Sequence, residues 1–241
     1  MRLPRILTYR GSMFVYLVLK VLSGVITSIM PGDHIVIPTI HGFKLVLPKR
    51  GYASGARPLT IMFGVVEPQW RRYFTTLIGK ARVFVDVGAA SDIYYTLLAT
   101  RLNKDVIVLA LEPSPTEYKY SVHNVKINKV TDRVLCLNMG LSDHIEETIM
   151  EGRRVMFVRL DDLVSKLNLE SVDIIKVDVE GAGALVIKGA EKAIEKHKPI
   201  IFFEVHNKSE EDTIKELAKR GYKVIREPGE MYVLVPVNTH R

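Results

Sequence analysis

From residue 82 onward the chain repeats one pattern that leaves few architectures open. Five short runs, 83–87, 106–111, 134–137, 172–177 and 200–205, are almost continuously apolar. Each is too short for a buried helix and lacks the polar alternation of a half-exposed strand, so each reads as a strand covered on both faces. The segments between them, 93–103, 115–128, 183–196 and 209–219, read as helices. Strands that alternate with helices this way build a parallel sheet with helices on both sides. A last pair of strands, 222–225 and 231–235, turns across Glu227-Pro228-Gly229-Glu230 and adds an antiparallel member. Residues 146–158 read as a small extra hairpin, followed by a helix over 160–168. In such sheets the ligand lies at the C-terminal strand ends, where the strand order reverses.

The first third is different. Residues 1–80 carry eleven Lys/Arg and two acids, a net +9, whereas the other 161 residues hold 23 bases and 25 acids. A basic surface of this kind suits a nucleic acid, a membrane or an anionic substrate, and equally a plain solvated face. Residues 13–30 are apolar but too short for a comfortable span, with Lys20 in the middle. Ser12, Tyr16, Lys20, Ser23, Gly24 and Thr27 recur at helical spacing, with Val15, Leu19, Leu22, Ile26 and Ile29 elsewhere. This predicts an amphipathic helix packed on its own domain, a membrane-surface helix being the alternative and a signal anchor the third reading. No secretory cleavage pattern follows it. Strands at 34–37 and 43–48 flank His41-Gly42, residues 49–60 read as a loop, and Glu67-Pro68 opens a helix to about 78. The expected division is an extension over 1–66 and a main domain over 67–241.

Composition narrows the class further. With 47% hydrophobic and 25% charged residues, the 241-residue chain is neither disordered nor a coiled coil. Its single cysteine, Cys136, excludes an internal disulfide framework and a cysteine-rich metal site, which fits a cytoplasmic protein. A lone glutamine, Gln69, amid many Ile, Val, Lys, Arg and Glu leans towards a thermophile.

The strand ends carry the chemistry. The first ends Asp86-Val87-Gly88-Ala89 and the second Glu112-Pro113. A tight turn after one strand and an acid after the next is the layout of a nucleoside site, the acid accepting from the ribose hydroxyls. The turn lacks the glycines that bring backbone against a pyrophosphate, so S-adenosylmethionine, a nucleoside without phosphates, fits. Asp86 would face its ammonium and backbone N–H groups near Gly88 its carboxylate. An Asp at a strand end is also a common cap, so this pair alone leaves the ligand open. The fourth strand ends Lys176-Val177-Asp178-Val179-Glu180-Gly181 and the fifth Glu204-Val205-His206. Charges at the end of a buried strand are costly unless paired or used. Asp178, Glu180, Glu204 and His206 should converge on the ligand-binding edge.

Longer stretches resemble the FkbM family of S-adenosylmethionine-dependent methyltransferases. They are Leu160-Asp161-Asp162-Leu163, the run from Val172 to Ala182, Lys188-Gly189-Ala190, and Pro199 to His206. Asp86-Val87-Gly88-Ala89 with Tyr94-Tyr95-Thr96, Glu112-Pro113-Ser114-Pro115 with Asn124 and Asn128, and Gly140-Leu141-Ser142-Asp143 add to the likeness, which spans about 67–207. The resemblance implies a class I methyltransferase (Rossmann-like) fold with a seven-stranded, mostly parallel sheet whose last strand is antiparallel. It implies methyl transfer to oxygen, most simply on a small-molecule or sugar hydroxyl. It places the cofactor on Asp86, Gly88, Ala89, Tyr95, Glu112, Pro113, Ser142, Asp143 and Asp178, with Ser142 and Asp143 beside the adenine.

Two positions depart from the family. Its D-V-G-A-N-x-G turn here reads Ala90-Ser91-Asp92-Ile93 after Ala89, one residue longer and without the second glycine. Its E-G-A-E reads Glu180-Gly181-Ala182-Gly183. An acceptor hydroxyl must lose its proton, and Asp178 with His206, then Glu180 and Glu204, are the expected base or orienting groups. A metal on Asp178 and Glu180 is another way to acidify the hydroxyl, and no metal is assigned. Two other classes stay open: an RNA methyltransferase using the basic third, and a non-catalytic binding protein.

Overall fold

The computed structural model describes residues 32–49 and 58–237, together with the helical positions Val15, Val18, Leu19, Val21 and Leu22. The expected packing of helix 13–30, and most of the loop after residue 49, lie outside the described residues. Among the described residues no helix is long and apolar enough to cross a membrane.

The chain opens with strands β1 (His34–Pro38) and β2 (Lys44–Pro48), paired antiparallel. Helix α1 (Pro58–Met62) occupies the end of the stretch read as loop, and α2 (Pro68–Leu77) follows. Then come β3 (Val83–Val87), α3 (Tyr94–Leu102), β4 (Ile107–Leu111), α4 (Pro115–Ile127) and β5 (Val134–Leu137). A side sheet contains β6 (Met139–Leu141), β7 (Glu146–Met150) and β8 (Arg153–Val158). The second half runs α5 (Leu160–Lys166), β9 (Ile174–Val177), α6 (Gly183–Lys188), α7 (Glu191–His197), β10 (Ile200–Glu204), α8 (Lys208–Lys219), β11 (Tyr222–Glu227) and β12 (Met231–Pro236).

The main sheet has seven strands in the order β11-β12-β10-β9-β3-β4-β5. β10, β9, β3, β4 and β5 pair in parallel, and β12 lies antiparallel between β10 and β11. Strand order reverses between β3 and β9, so the ends of β3, β4, β9 and β10 form the ligand crevice.

Alternation along each strand then sorts the side chains onto the two faces. Val83, Val85, Val87, Ile175, Val177, Ile201 and Phe203 face one core, shared with α5 to α8. Phe84, Ile174 and Phe202 face the other, with Trp70, Phe74, Tyr94 and Tyr95. Asp86, Lys176 and Glu204 follow Phe84, Ile174 and Phe202 by two residues, which puts these charged groups on the aromatic side.

Segment 183–196, expected as one helix, is two. Gly189 passes so close to the Ser142 carbonyl that a Cβ would lie 1.9 Å from its oxygen. The chain breaks there, and the carboxylate of Asp161 caps the new start by accepting from the Lys192 and Ala193 N–H groups at 3.1 and 2.8 Å. Two of the motifs quoted above, Leu160–Leu163 and Lys188–Ala190, therefore meet to stop one helix and start the next.

Asn124 and Asn128 hold the N-terminal hairpin. They stand one turn apart, Asn124 on α4 and Asn128 as its C-cap, and pair with the free edge of β2. Asn124 accepts from Val46 N–H at 2.7 Å and donates to Val46 O and Ser91 O. Asn128 accepts from Lys44 N–H at 2.9 Å and donates back to Lys44 O. Fully buried Asn124 thus stands in for a strand and also ties down the turn after β3. Asn124→Ala strands three backbone groups and should cost about 2–4 kcal/mol in urea denaturation. A loss below about 1 kcal/mol would show that water replaces the side chain.

Candidate active site

The turn after β3 is built to cross β9 closely. Gly88 has φ +76° and sits where a Cβ would lie 2.0 Å from the Asp178 carbonyl oxygen. Gly88 and Ala89 N–H both donate to Leu111 O at 3.0 Å. This corrects the expected use of amides near Gly88: these two are committed to β4. The altered segment makes its turn without a second glycine, since Ala90 and Ile93 take φ +53° and +44° themselves. α4 holds that strained course in place. Ser91 N–H donates to Glu117 and Ser121 Oγ to Ala90 O, beside the Asn124 bond already described. Asp92 accepts from Tyr94 N–H at 3.2 Å, at the start of α3.

Asp86 is 2% exposed. One carboxylate oxygen accepts from Thr96 Oγ1 at 2.7 Å. The other takes no hydrogen bond among the described residues and faces Lys176 Nζ at 3.8 Å. Burial pushes the pKa of Asp86 up, against the pull of Lys176 and Thr96. Lys176, 4% exposed, donates to Asp178 at 2.8 Å and lies over the rings of Trp70 and Tyr95 at 5.6 and 5.5 Å. Burial works against its charge, but Asp178, Asp86 and Glu67 outweigh it and hold the lysine above its usual pKa.

Across the crevice, Glu112 accepts from Ala90 N–H at 3.0 Å and Ser114 N–H at 2.8 Å. Burial pushes its pKa up to about 7, although those two donors oppose the shift. The side sheet supplies the far wall. Phe157 lies where a Cβ on Gly140 would be, and Glu151 at the β7–β8 turn accepts from Ser114 Oγ at 2.6 Å.

These groups enclose a cavity of about 540 Å³. Asp86, Gly88, Ala89, Tyr95, Glu112, Pro113, Asp178 and Glu180 all line it, Glu180 from the exposed rim. Ser142 and Asp143 fall outside the lining: Ser142 N–H donates to Val158 O, and Asp143 pairs with Lys188 at 2.6 Å and with His144. The tight approach of Gly189 draws that loop away to α6. Glu204 and His206 stand beside Asp178, just beyond the lining. Burial and a hydrogen bond with Asp178 push Glu204 up to about 9. His206 Nε2 lies 4.0 Å from Glu204. Its backbone is anchored by buried Glu210, which accepts from His206 N–H at 2.6 Å and Gly183 N–H at 2.7 Å. Gly183 leaves the room that Glu210 and the Phe203 ring occupy, so the family's missing acid has no space here.

The model of the methyltransferase FkbM domain matches residues 86–224, more than half of the chain. The chain belongs to the FkbM methyltransferase family. A methyltransferase FkbM from Methylobacillus flagellatus KT superposes with TM-score 0.52 at 18% identity over 74% of this chain, which spans only 53% of that protein. A METTL16 methyltransferase domain superposes with TM-score 0.53 at 16% identity, covering 97% of both chains. A putative caffeoyl-CoA O-methyltransferase from Staphylococcus aureus gives 0.52 at 14% identity, over 71% of this chain and 85% of its own. At such identities the likeness is one of fold: the class I methyltransferase sheet carries several acceptor chemistries. No curated protein matches the sequence.

Three participants escaped the sequence reading of this FkbM domain. Lys176 was visible in the charge alternation of β9, but only the register Asp86↔Lys176 shows which acid it meets. Glu67 precedes the matched segment. It takes φ +38° ahead of Pro68, is buried, and lines the cavity. Glu151 sits in an exposed hairpin turn that only the fold brings to Ser114 and Thr116.

Proposed function

We propose that this FkbM domain binds S-adenosylmethionine and methylates a hydroxyl of a small molecule or sugar. The carrying observation is the buried Asp86 oxygen, which accepts no hydrogen bond among the described residues, in a cavity edged by further carboxylates. Such a lining suits a ligand that carries an ammonium and a sulfonium. A volume of about 540 Å³ is ordinary for a cofactor of that size. Asp86 would hold the ammonium and Glu112 the ribose hydroxyls, with Leu141, Met150 and Phe157 as the apolar wall for the base. Bound there, the cofactor supplies an electrophilic methyl group.

The remaining work belongs to the chain. Lys176 fixes Asp178 beside the acceptor. Asp178 and His206, with Glu204 beside them, orient the hydroxyl for loss of its proton.

Calorimetry with S-adenosylmethionine tests the reading. Ribose hydroxyls donate best to an ionised Glu112. Its pKa of about 7 therefore makes binding tighten roughly tenfold between pH 6 and pH 8. In Glu112→Gln that dependence should flatten and affinity at pH 8 should fall by about 1.5–3 kcal/mol. No binding at either pH would sink the cofactor assignment. A panel of hydroxyl and amine acceptors, read by release of S-adenosylhomocysteine, tests the acceptor. Turnover on amines alone would overturn the hydroxyl.

A further inference from the structure

We propose that Asp178, Glu204 and His206 form a divalent-cation site on the acceptor side of the cavity. One donor atom from each lies within 4.8 Å of the others. Two carboxylates and one imidazole are a mixed oxygen and nitrogen set of the kind that holds Mn²⁺, Fe²⁺ or Mg²⁺ with positions left open. The set differs from Asp178 with Glu180, since Glu180 stands exposed on the rim.

Three features beyond the cluster support it. The donors come from the ends of adjacent parallel strands, β9 and β10, so their spacing is held by the sheet. The His206 backbone is fixed by Glu210, and Val205 N–H donates to Glu230 O at 2.9 Å. His206 is exposed, which leaves an entry path from solvent.

The role of the cation rests on the hydroxyl-methylation reading above. An acceptor hydroxyl that completes the coordination sphere is made more acidic. Its O–H bond breaks, the pair stays on oxygen, and the proton leaves to water along the open side at His206.

Mn²⁺ titrated into the full chain, followed by electron paramagnetic resonance and calorimetry, tests the site without an acceptor. One Mn²⁺ should bind, and pulsed spectra should show one directly bound imidazole nitrogen. His206→Ala should remove the nitrogen signal, and it and Glu204→Gln should each weaken Mn²⁺ by more than about tenfold. S-adenosylhomocysteine affinity and the melting temperature, measured on the same samples, should stay as in the parent. No Mn²⁺ binding, or binding unchanged in both variants, overturns the site. If S-adenosylhomocysteine still binds, the methyltransferase reading survives that result. Mn²⁺ binding with no cofactor binding keeps the site and sinks the hydroxyl-activation role.

Discussion

Lys176→Met should destabilise the domain by about 3–5 kcal/mol at pH 8, because it removes the cation from a buried group of acids. Methionine fills the space of the lysine stem between Trp70 and Tyr95, so the loss is one of charge rather than packing. Without the ammonium, Asp86 rises further above the pKa it has in the unfolded chain. An acid raised in this way stabilises the fold fully below its unfolded pKa of about 4, and that contribution fades as pH climbs through the folded value. The gap between variant and parent should therefore be narrow near pH 4 and wide at pH 8. Denaturation at both pH values measures it. An equal gap at both would assign the effect to packing.

Gly88→Ala should be comparably damaging, at about 3–5 kcal/mol, for an unrelated reason. Its φ of +76° alone costs an L-residue about 1–2 kcal/mol. The added carbon would also sit 2.0 Å from the Asp178 carbonyl and 3.2 Å from Val179 Cγ1. Since that carbonyl is backbone, relief requires β3 and β9 to part, which breaks the Asp178 N–H bond to Val87 O. The same shift moves Asp178 relative to Lys176, so S-adenosylmethionine affinity should fall with stability. Gly79→Ala is the control. Its Cβ would meet nothing within 4 Å, so its stability should stay within about 0.5 kcal/mol of the parent. A Gly88→Ala protein that melts with the parent would mean the strands separate freely.

The strands were legible because their runs are continuously apolar, and only burial on both faces calls for that. The acids Asp86, Glu112, Asp178 and Glu204 were legible because charges at the ends of such strands need a purpose. Helix 183–196 was misread as continuous because nothing local in Gly189-Ala190 forbids a helix; the break comes from a carbonyl 47 residues earlier in the chain. Ser142 and Asp143 were placed by the adenine on resemblance; in the fold the Ser142 carbonyl lies against Gly189 and Asp143 pairs with Lys188. The short helix Pro58–Met62 sits in a stretch whose Gly and Pro content reads as loop.

Period and burial are properties of neighbouring residues. The sequence by itself therefore determined the layered α/β sheet, its antiparallel hairpin and the edge where the ionisable groups gather. The tertiary structure alone decided which of those groups touch. It set Lys176 between Asp86 and Asp178, brought Glu67 in from outside the family segment, joined Asp178 to Glu204 and His206, and turned Asn124 and Asn128 into partners for β2. Each of these contacts depends on strand register and helix packing between distant segments. The energies that shift Glu112 and Glu204 arise only once such groups leave water together.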